Sequence, residues 1–207
     1  MLEKPMNRDK QQVHDFWNEA SCGENLYLPG LDREAYEAQA RKRYELEPYI
    51  LEFADFDITK ALQVLEIGVG LGADHRRFAQ SGADLYGIDL TERAVEHTQR
   101  RLATFGLSSR LASGYAEQLD FPDEYFDRVY SLGVLHHSPD TPKAVAEVWR
   151  NLKQGGGSES HDLPQVEHGG FDVMDALRLA APAAIHKPER DLCRLSGKPR
   201  YQSLFLR

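Results

Sequence analysis

Three glycines and two carboxylates carry the chemistry that this sequence offers most openly. Val64-Leu65-Glu66-Ile67-Gly68-Val69-Gly70-Leu71-Gly72 reads as an apolar strand running into a glycine turn. Tyr86-Gly87-Ile88-Asp89 reads as a second strand that ends in a carboxylate. Glycine lets a backbone turn sharply and approach a ligand with no Cβ in the way. A helix starting behind such a turn aims its free N–H groups and positive dipole end at whatever is bound. Asp89 follows Gly68 by 21 positions, close to the roughly 20 expected of a carboxylate that accepts from ribose hydroxyls. The spacing predicts an adenosine-containing cofactor.

The identity of that cofactor needs a second signal. Gly68, Gly70 and Ala73 satisfy the dinucleotide pattern G-x-G-x-x-G/A, which is weak alone and leaves NAD open. Glu66 argues the other way. A carboxylate two residues before the first glycine would repel a pyrophosphate, whereas it would attract a sulfonium ligand that also carries an ammonium group.

The second signal lies downstream, in Ala116-Glu117-x-Leu119-x-Phe121-Pro122, Phe126-Asp127, Val134-Leu135-His136-His137 and Leu152-Lys153-x-Gly155-Gly156. Together with Glu66-x-Gly68-x-Gly70-x-Gly72 and Asp89, in this order, the chain resembles the class I S-adenosylmethionine-dependent methyltransferases. The likeness is greatest to the ubiquinone/menaquinone-biosynthesis group, and it runs from about residue 60 to residue 156.

The resemblance implies S-adenosyl-L-methionine as cofactor and a role for each matching position. Gly68, Gly70 and Gly72 would line its methionine end, Glu66 would contact it, and Asp89 would hold the ribose diol. Leu90 would pack on the adenine, and Ala116 and Glu117 would lie along the adenine edge. Leu132 and Gly133 would border the methionine portion at the end of the fourth strand. Tyr115 stands where the family usually has an Asp that accepts from the adenine amino group. His136 and His137, just past that strand, are candidate general bases; their bland reading is packing and loop capping. The expected function is methyl transfer to a small-molecule acceptor. The alternative is a fold remnant that binds cofactor weakly or not at all.

Composition narrows the partners. A formal net charge of −8 argues against a phosphate-backbone footprint, so nucleic acid is not expected. Arg41-Lys42-Arg43 and Arg76-Arg77 are diluted by acidic neighbours and read as solvated helix faces. The acidic turn Asp120, Asp123 and Glu124 reads as a solvated loop. Cys22 and Cys193, like His161 and His168, lack metal-ligand spacing. The first 25 residues are charged and aromatic, and no apolar run reaches membrane length. A cytoplasmic protein is expected.

These residues need elements to hold them. Helices are predicted over 8–20, with Val13, Phe16 and Trp17 on one side, and from an Asp32 N-cap onward, kinked or split at Pro48. Trp17, Tyr27, Arg43 and Tyr44 are candidates to face the substrate from this region. Next come strand 62–67, helix 71–81, strand 84–89, and helix 91–105 capped by Thr91 and ended by Gly106. Strands near 109–113 and 126–132 follow, then a helix capped by Thr141. The fold class is α/β: a doubly wound, Rossmann-like parallel sheet with helices on both faces and its ligand at the strands' carboxyl ends. Residues 1–58 form a helical cap and 59–157 the cofactor-binding domain.

After Gly157 the pattern fails. Ser158 to Gly170 is polar and broken by Pro and Gly, a composition that cannot make a central buried strand. The segment 158–207 is therefore expected to be atypical and poorly ordered, with a short helix over 171–181 and a marginal strand at Leu204-Phe205-Leu206. The usual C-terminal strands would be lacking. Strand four would then expose an unpaired edge, a route to a homo-oligomer.

Overall fold

The computed structural model describes residues 8–160. His161, His168, the helix expected over 171–181 and the strand expected at 204–206 lie outside the described residues. Four helices come first: α1 (Arg8–Glu19), α2 (Glu24–Tyr27), α3 (Arg33–Leu46) and α4 (Tyr49–Ala54). Strand and helix then alternate through β1 (Gln63–Ile67), α5 (Ala73–Ser81), β2 (Asp84–Asp89), α6 (Glu92–Thr104) and β3 (Arg110–Ser113). β4 (Phe126–Ser131), α7 (Thr141–Asn151) and β5 (Leu152–Ser160) complete the described chain.

The five strands are all parallel, in the order β3-β2-β1-β4-β5. The winding direction reverses between β1 and β4, which opens a crevice beyond their carboxyl ends. Alternate residues of β1 serve opposite layers. Leu65 and Ile67 pack with Val129 and with Ala144 and Val148 of α7. Val64 packs on the other face with Phe78 of α5, Ile50 and Ala54 of α4, and Tyr130. Glu66 shares that second face, which turns its carboxylate toward α5.

Local signals explain most boundaries. The Asp32 carboxylate accepts from Ala35 N (2.8 Å) at the start of α3, and Thr91 Oγ1 accepts from Ala94 N (3.3 Å) at the start of α6. Pro48 separates α3 from α4. The cap of α7 is Asp140, which accepts from Lys143 N (3.1 Å), and not Thr141, whose hydroxyl donates to Ser138 O (3.2 Å). No described helix is long and apolar enough to cross a membrane.

The edge of β4 corrects an expectation. It is not open: β5 pairs along it, matching Phe126 to Leu152, Arg128 to Gly157 and Ser131 to Ser160, with a register shift between Phe126 and Arg128. The composition argument applies to a central strand buried on both faces. β5 has one neighbour in the described sheet, and backbone pairing at an edge accepts glycine and polar residues. A Cβ on Gly156 would come 2.9 Å from Asp127 O, so glycine also lets this strand sit close. The oligomer expected through a bare β4 edge loses its physical basis.

Candidate functional site

The site is built where β1 gives way to α5. Gly68, Gly70 and Gly72 have φ of 84, 51 and 72°, a left-handed region that residues with a Cβ rarely enter. At Gly68 a Cβ would also lie 2.2 Å from Val134 Cγ2, whereas at Gly70 nothing stands within 4 Å. Gly68 is thus needed for the fold of the turn, while Gly70 faces open space from which a ligand can reach the backbone.

Asp89, at the carboxyl end of β2, holds this turn. Its Oδ2 accepts from Gly70 N (3.1 Å), and its Oδ1 accepts from Thr91 N and Thr91 Oγ1 (both 3.0 Å). Burial raises its carboxyl above the usual range although these donors favour the charged form. Glu66 is deeper, 3% exposed. Burial is the main reason its carboxyl lies well above the usual range, the Asp74 charge adds to the effect, and Arg43 opposes it. Its Oε2 is 2.8 Å from His75 Nδ1.

Asp74, in the first turn of α5, gathers three side chains. Arg43 Nη2 donates at 2.7 Å, Tyr44 Oη at 3.0 Å and Tyr130 Oη at 3.1 Å. Burial alone would raise its carboxyl, but the Arg43 charge and these donors outweigh it and hold the group low. The network ties α3, α5 and β4 together beside the glycine turn.

The opposite wall is the loop after β3. Glu117 is buried there; its Oε1 accepts from Ser138 Oγ (2.6 Å), and its Oε2 lies 3.1 Å from Lys10 Nζ of α1. Lys10 Nζ also stands 4.8 Å from the centre of the Tyr115 ring. Beyond β4, a short 3₁₀ turn carries His136 and His137 with ring centroids 3.9 Å apart, and Trp17 of α1 meets the His137 ring edge-on at 5.4 Å.

These walls enclose one cavity of about 960 Å³. Glu66, Gly68, Gly70, Gly72, Asp89, Leu90, Ala116, Glu117, Leu132, Gly133, His136 and His137 all line it, as do Trp17 and Arg43. Tyr27 and Tyr44 are not in its wall, and neither are Asp120, Asp123 and Glu124; Asp123 instead pairs with Arg150. Sequence reasoning missed Lys10, Asp74 and Ser138, which line the cavity, and His75 behind Glu66. Ala73-Asp74-His75 did carry a signal: two polar residues follow the glycine turn at the start of a helix packed on the sheet. No group of three or more His, Cys, Asp or Glu able to hold a metal occurs among the described residues.

Residues 65–157 match a family model described as a methyltransferase domain. Over this segment the chain is similar to the S-adenosylmethionine-dependent methyltransferases. The domain's relatives include the uncharacterized methyltransferase YcgJ of Bacillus subtilis, 38% identical over 95 residues that cover 45% of this chain and 38% of that protein. The crystal structure of YcgJ superposes with a TM-score of 0.50 at 33% identity, covering 56% of this chain and 49% of that one. Sterol 24-C-methyltransferase erg-4 of Neurospora crassa is 29% identical over 153 residues, 69% of this chain and 38% of that protein. The chain thus spans about two fifths of the length of these two relatives. The magnesium protoporphyrin IX methyltransferase of Synechocystis PCC 6803, solved with bound SAM, shares the fold with a TM-score of 0.52 at 21% identity, over 70% of this chain and 72% of that one.

Proposed function

We propose that this chain is an S-adenosyl-L-methionine-dependent methyltransferase acting on a small-molecule acceptor. The observation that carries this reading is the sharing of one cavity by the glycine turn, Asp89, Glu117 and the His136-His137 pair. The donor set fits the cofactor. Gly70 leaves a gap that a side chain would fill, Asp89 brings a carboxylate to the cavity wall, and Glu66 offers an acceptor to a cationic end. Sterol is the acceptor in the name of the Neurospora relative, and the acidic net charge of −8 suits a small acceptor better than nucleic acid. A helical cap over residues 1–58, a cofactor domain over 59–157 and a cytoplasmic setting belong to the same reading.

When bound, S-adenosyl-L-methionine supplies an electrophilic methyl group on a sulfonium that leaves readily. The protein's work is then placement. Gly68, Gly70 and Gly72 cradle the methionine end, Leu90 and Ala116 flank the adenine, and Leu132 and Gly133 close the floor. Holding the acceptor in line can contribute about 7–11 kcal/mol. His136 or His137 takes the acceptor's proton where one must be lost, worth about 10²–10⁴-fold. Trp17, against His137, keeps water from this end.

Isothermal titration with S-adenosylhomocysteine, and with NAD in parallel, tests the reading. Micromolar binding of S-adenosylhomocysteine alone, lost in Asp89→Ala, is expected. Binding of NAD alone would overturn it. The alternative, a fold remnant that binds cofactor weakly or not at all, predicts a folded protein that binds neither ligand.

A further inference from the structure

His75 is a buried, titratable group that the proposed reaction leaves without a task. It stands on α5, fully buried, and its ring lies against β2 at Gly87, where a Cβ would come 2.6 Å from the ring Cε1. The missing side chain at Gly87 opens the slot that admits the ring. Nδ1 then reaches Glu66 Oε2 at 2.8 Å, and Nε2 reaches Ser109 Oγ at 2.8 Å, just before β3. Glu66 is in the cavity wall; His75 is behind it.

We propose that His75 is a positioning residue: anchored on Ser109, it fixes the Glu66 carboxylate in the orientation presented to the positively charged end of the cofactor. The inference rests on the cofactor reading above. A ring held at both nitrogens has one orientation, and the partner of one nitrogen sets the tautomer at the other. Burial pulls His75 down to about 3, so its ring is neutral and carries one proton. With Glu66 ionised, Nδ1–H donates to Glu66 and Nε2 accepts from the Ser109 hydroxyl. With Glu66 protonated, Glu66 donates to Nδ1 and Nε2–H donates to Ser109 Oγ. The ring proton therefore reports the state of Glu66.

The groups that bias that state come from every element around it. Burial favours the protonated acid, as do Asp74 of α5 and Asp89 of β2, while Arg43 of α3 favours the carboxylate. A cationic ligand group adds to the second side. Binding should ionise Glu66, release a proton and leave His75 as the Nδ1–H tautomer.

The test is titration of the full chain with S-adenosylhomocysteine, whose ammonium group is the probe, across pH 5–8, alongside ¹⁵N spectra of the His75 ring. His75→Leu should weaken binding about tenfold, the loss of one hydrogen bond to a charged group. His75→Asn, which keeps a donor near Nδ1, should recover most of it. Ser109→Ala should leave the protein folded and alter the pH profile of binding. Should His75→Leu not fold, Ser109→Ala and the ring spectra decide. Unchanged affinity and pH profile in Ser109→Ala, with a ring proton indifferent to ligand, would overturn the inference alone. Absence of binding by the wild-type chain would instead defeat the cofactor reading, and this inference with it.

Discussion

Lys10 Nζ lies 3.1 Å from Glu117 Oε2, bridging the first helix and the far wall of the cavity. Their side chains are 22% and 5% exposed, so the pair is drier than most surface ion pairs. It fastens α1 over the site, helped by the edge-on contact of Trp17 with His137. Lys10→Met should speed release of S-adenosylhomocysteine roughly 2- to 5-fold, the range of a modest ion pair. Stopped-flow dissociation at low and high salt checks it. The wild-type rate should rise with salt, and the variant's should not.

The glycine turn predicts a non-additive pair. Gly68→Ala meets both a φ of 84° and a contact of 2.2 Å with Val134 Cγ2. It should destabilise by about 2–4 kcal/mol, the sum of left-handed strain and overpacking. Val134→Ala removes the two worst contacts, leaving its Cβ at 3.0 Å, and does not touch the strain. The double variant should recover about half of the loss, against the further loss that independent sites would show. Urea unfolding of the four proteins reads the coupling.

How much of this was legible depends on whether a feature is local. The Gly68-x-Gly70-x-Gly72 turn, Asp89 and the capping residues Asp32 and Thr91 announce themselves over a few positions, and the structure has the turn after β1, Asp89 at the end of β2 and both caps at their helices. β5 was hidden because its pairing is by backbone. Lys153-Gln154-Gly155-Gly156-Gly157 carries no strand pattern, yet β4 offers it a ladder. Long-range polar contacts were hidden for another reason. Nothing local ties Lys10 to Glu117 or Ser109 to His75, and Gly87 reads as a simple strand residue until the ring beside it is seen.

Acid should loosen the α2–α6 contact. Hydrogen bonds from Arg93, Nε to Oε2 at 2.8 Å and Nη2 to Oε1 at 2.5 Å, pull Glu24 down to about 2 from the usual 4.5, with Ser21 N and His97 helping against burial. A depressed carboxyl contributes stability above pH 4.5 and loses it as pH falls toward 2. Glu24→Gln should therefore lower the melting temperature at pH 6 and flatten its fall between pH 4.5 and 3. Thermal unfolding of both proteins across that range measures the difference.

Glu66 has the opposite sign. Burial, with Asp74 close by, raises its carboxyl well above 4.5, so the folded protein holds this proton more tightly than the unfolded chain. Its contribution is fully present below pH 4.5 and is lost as pH rises through the raised value. As pH rises above 4.5 the unfolded chain gives up this proton, while the ligand-free fold must keep it or bury a charge, a cost that Arg43 and the His75 hydrogen bond offset only in part. Glu66→Gln keeps the shape and removes the charge. It should raise the ligand-free melting temperature at pH 7 by roughly 2–8 °C, corresponding to about 1–2 kcal/mol, and leave it nearly unchanged at pH 4.5. The same variant should bind S-adenosylhomocysteine about tenfold more weakly. A variant both less stable at pH 7 and equal in affinity would mean that Glu66 holds the turn together and does not face the ligand's charge.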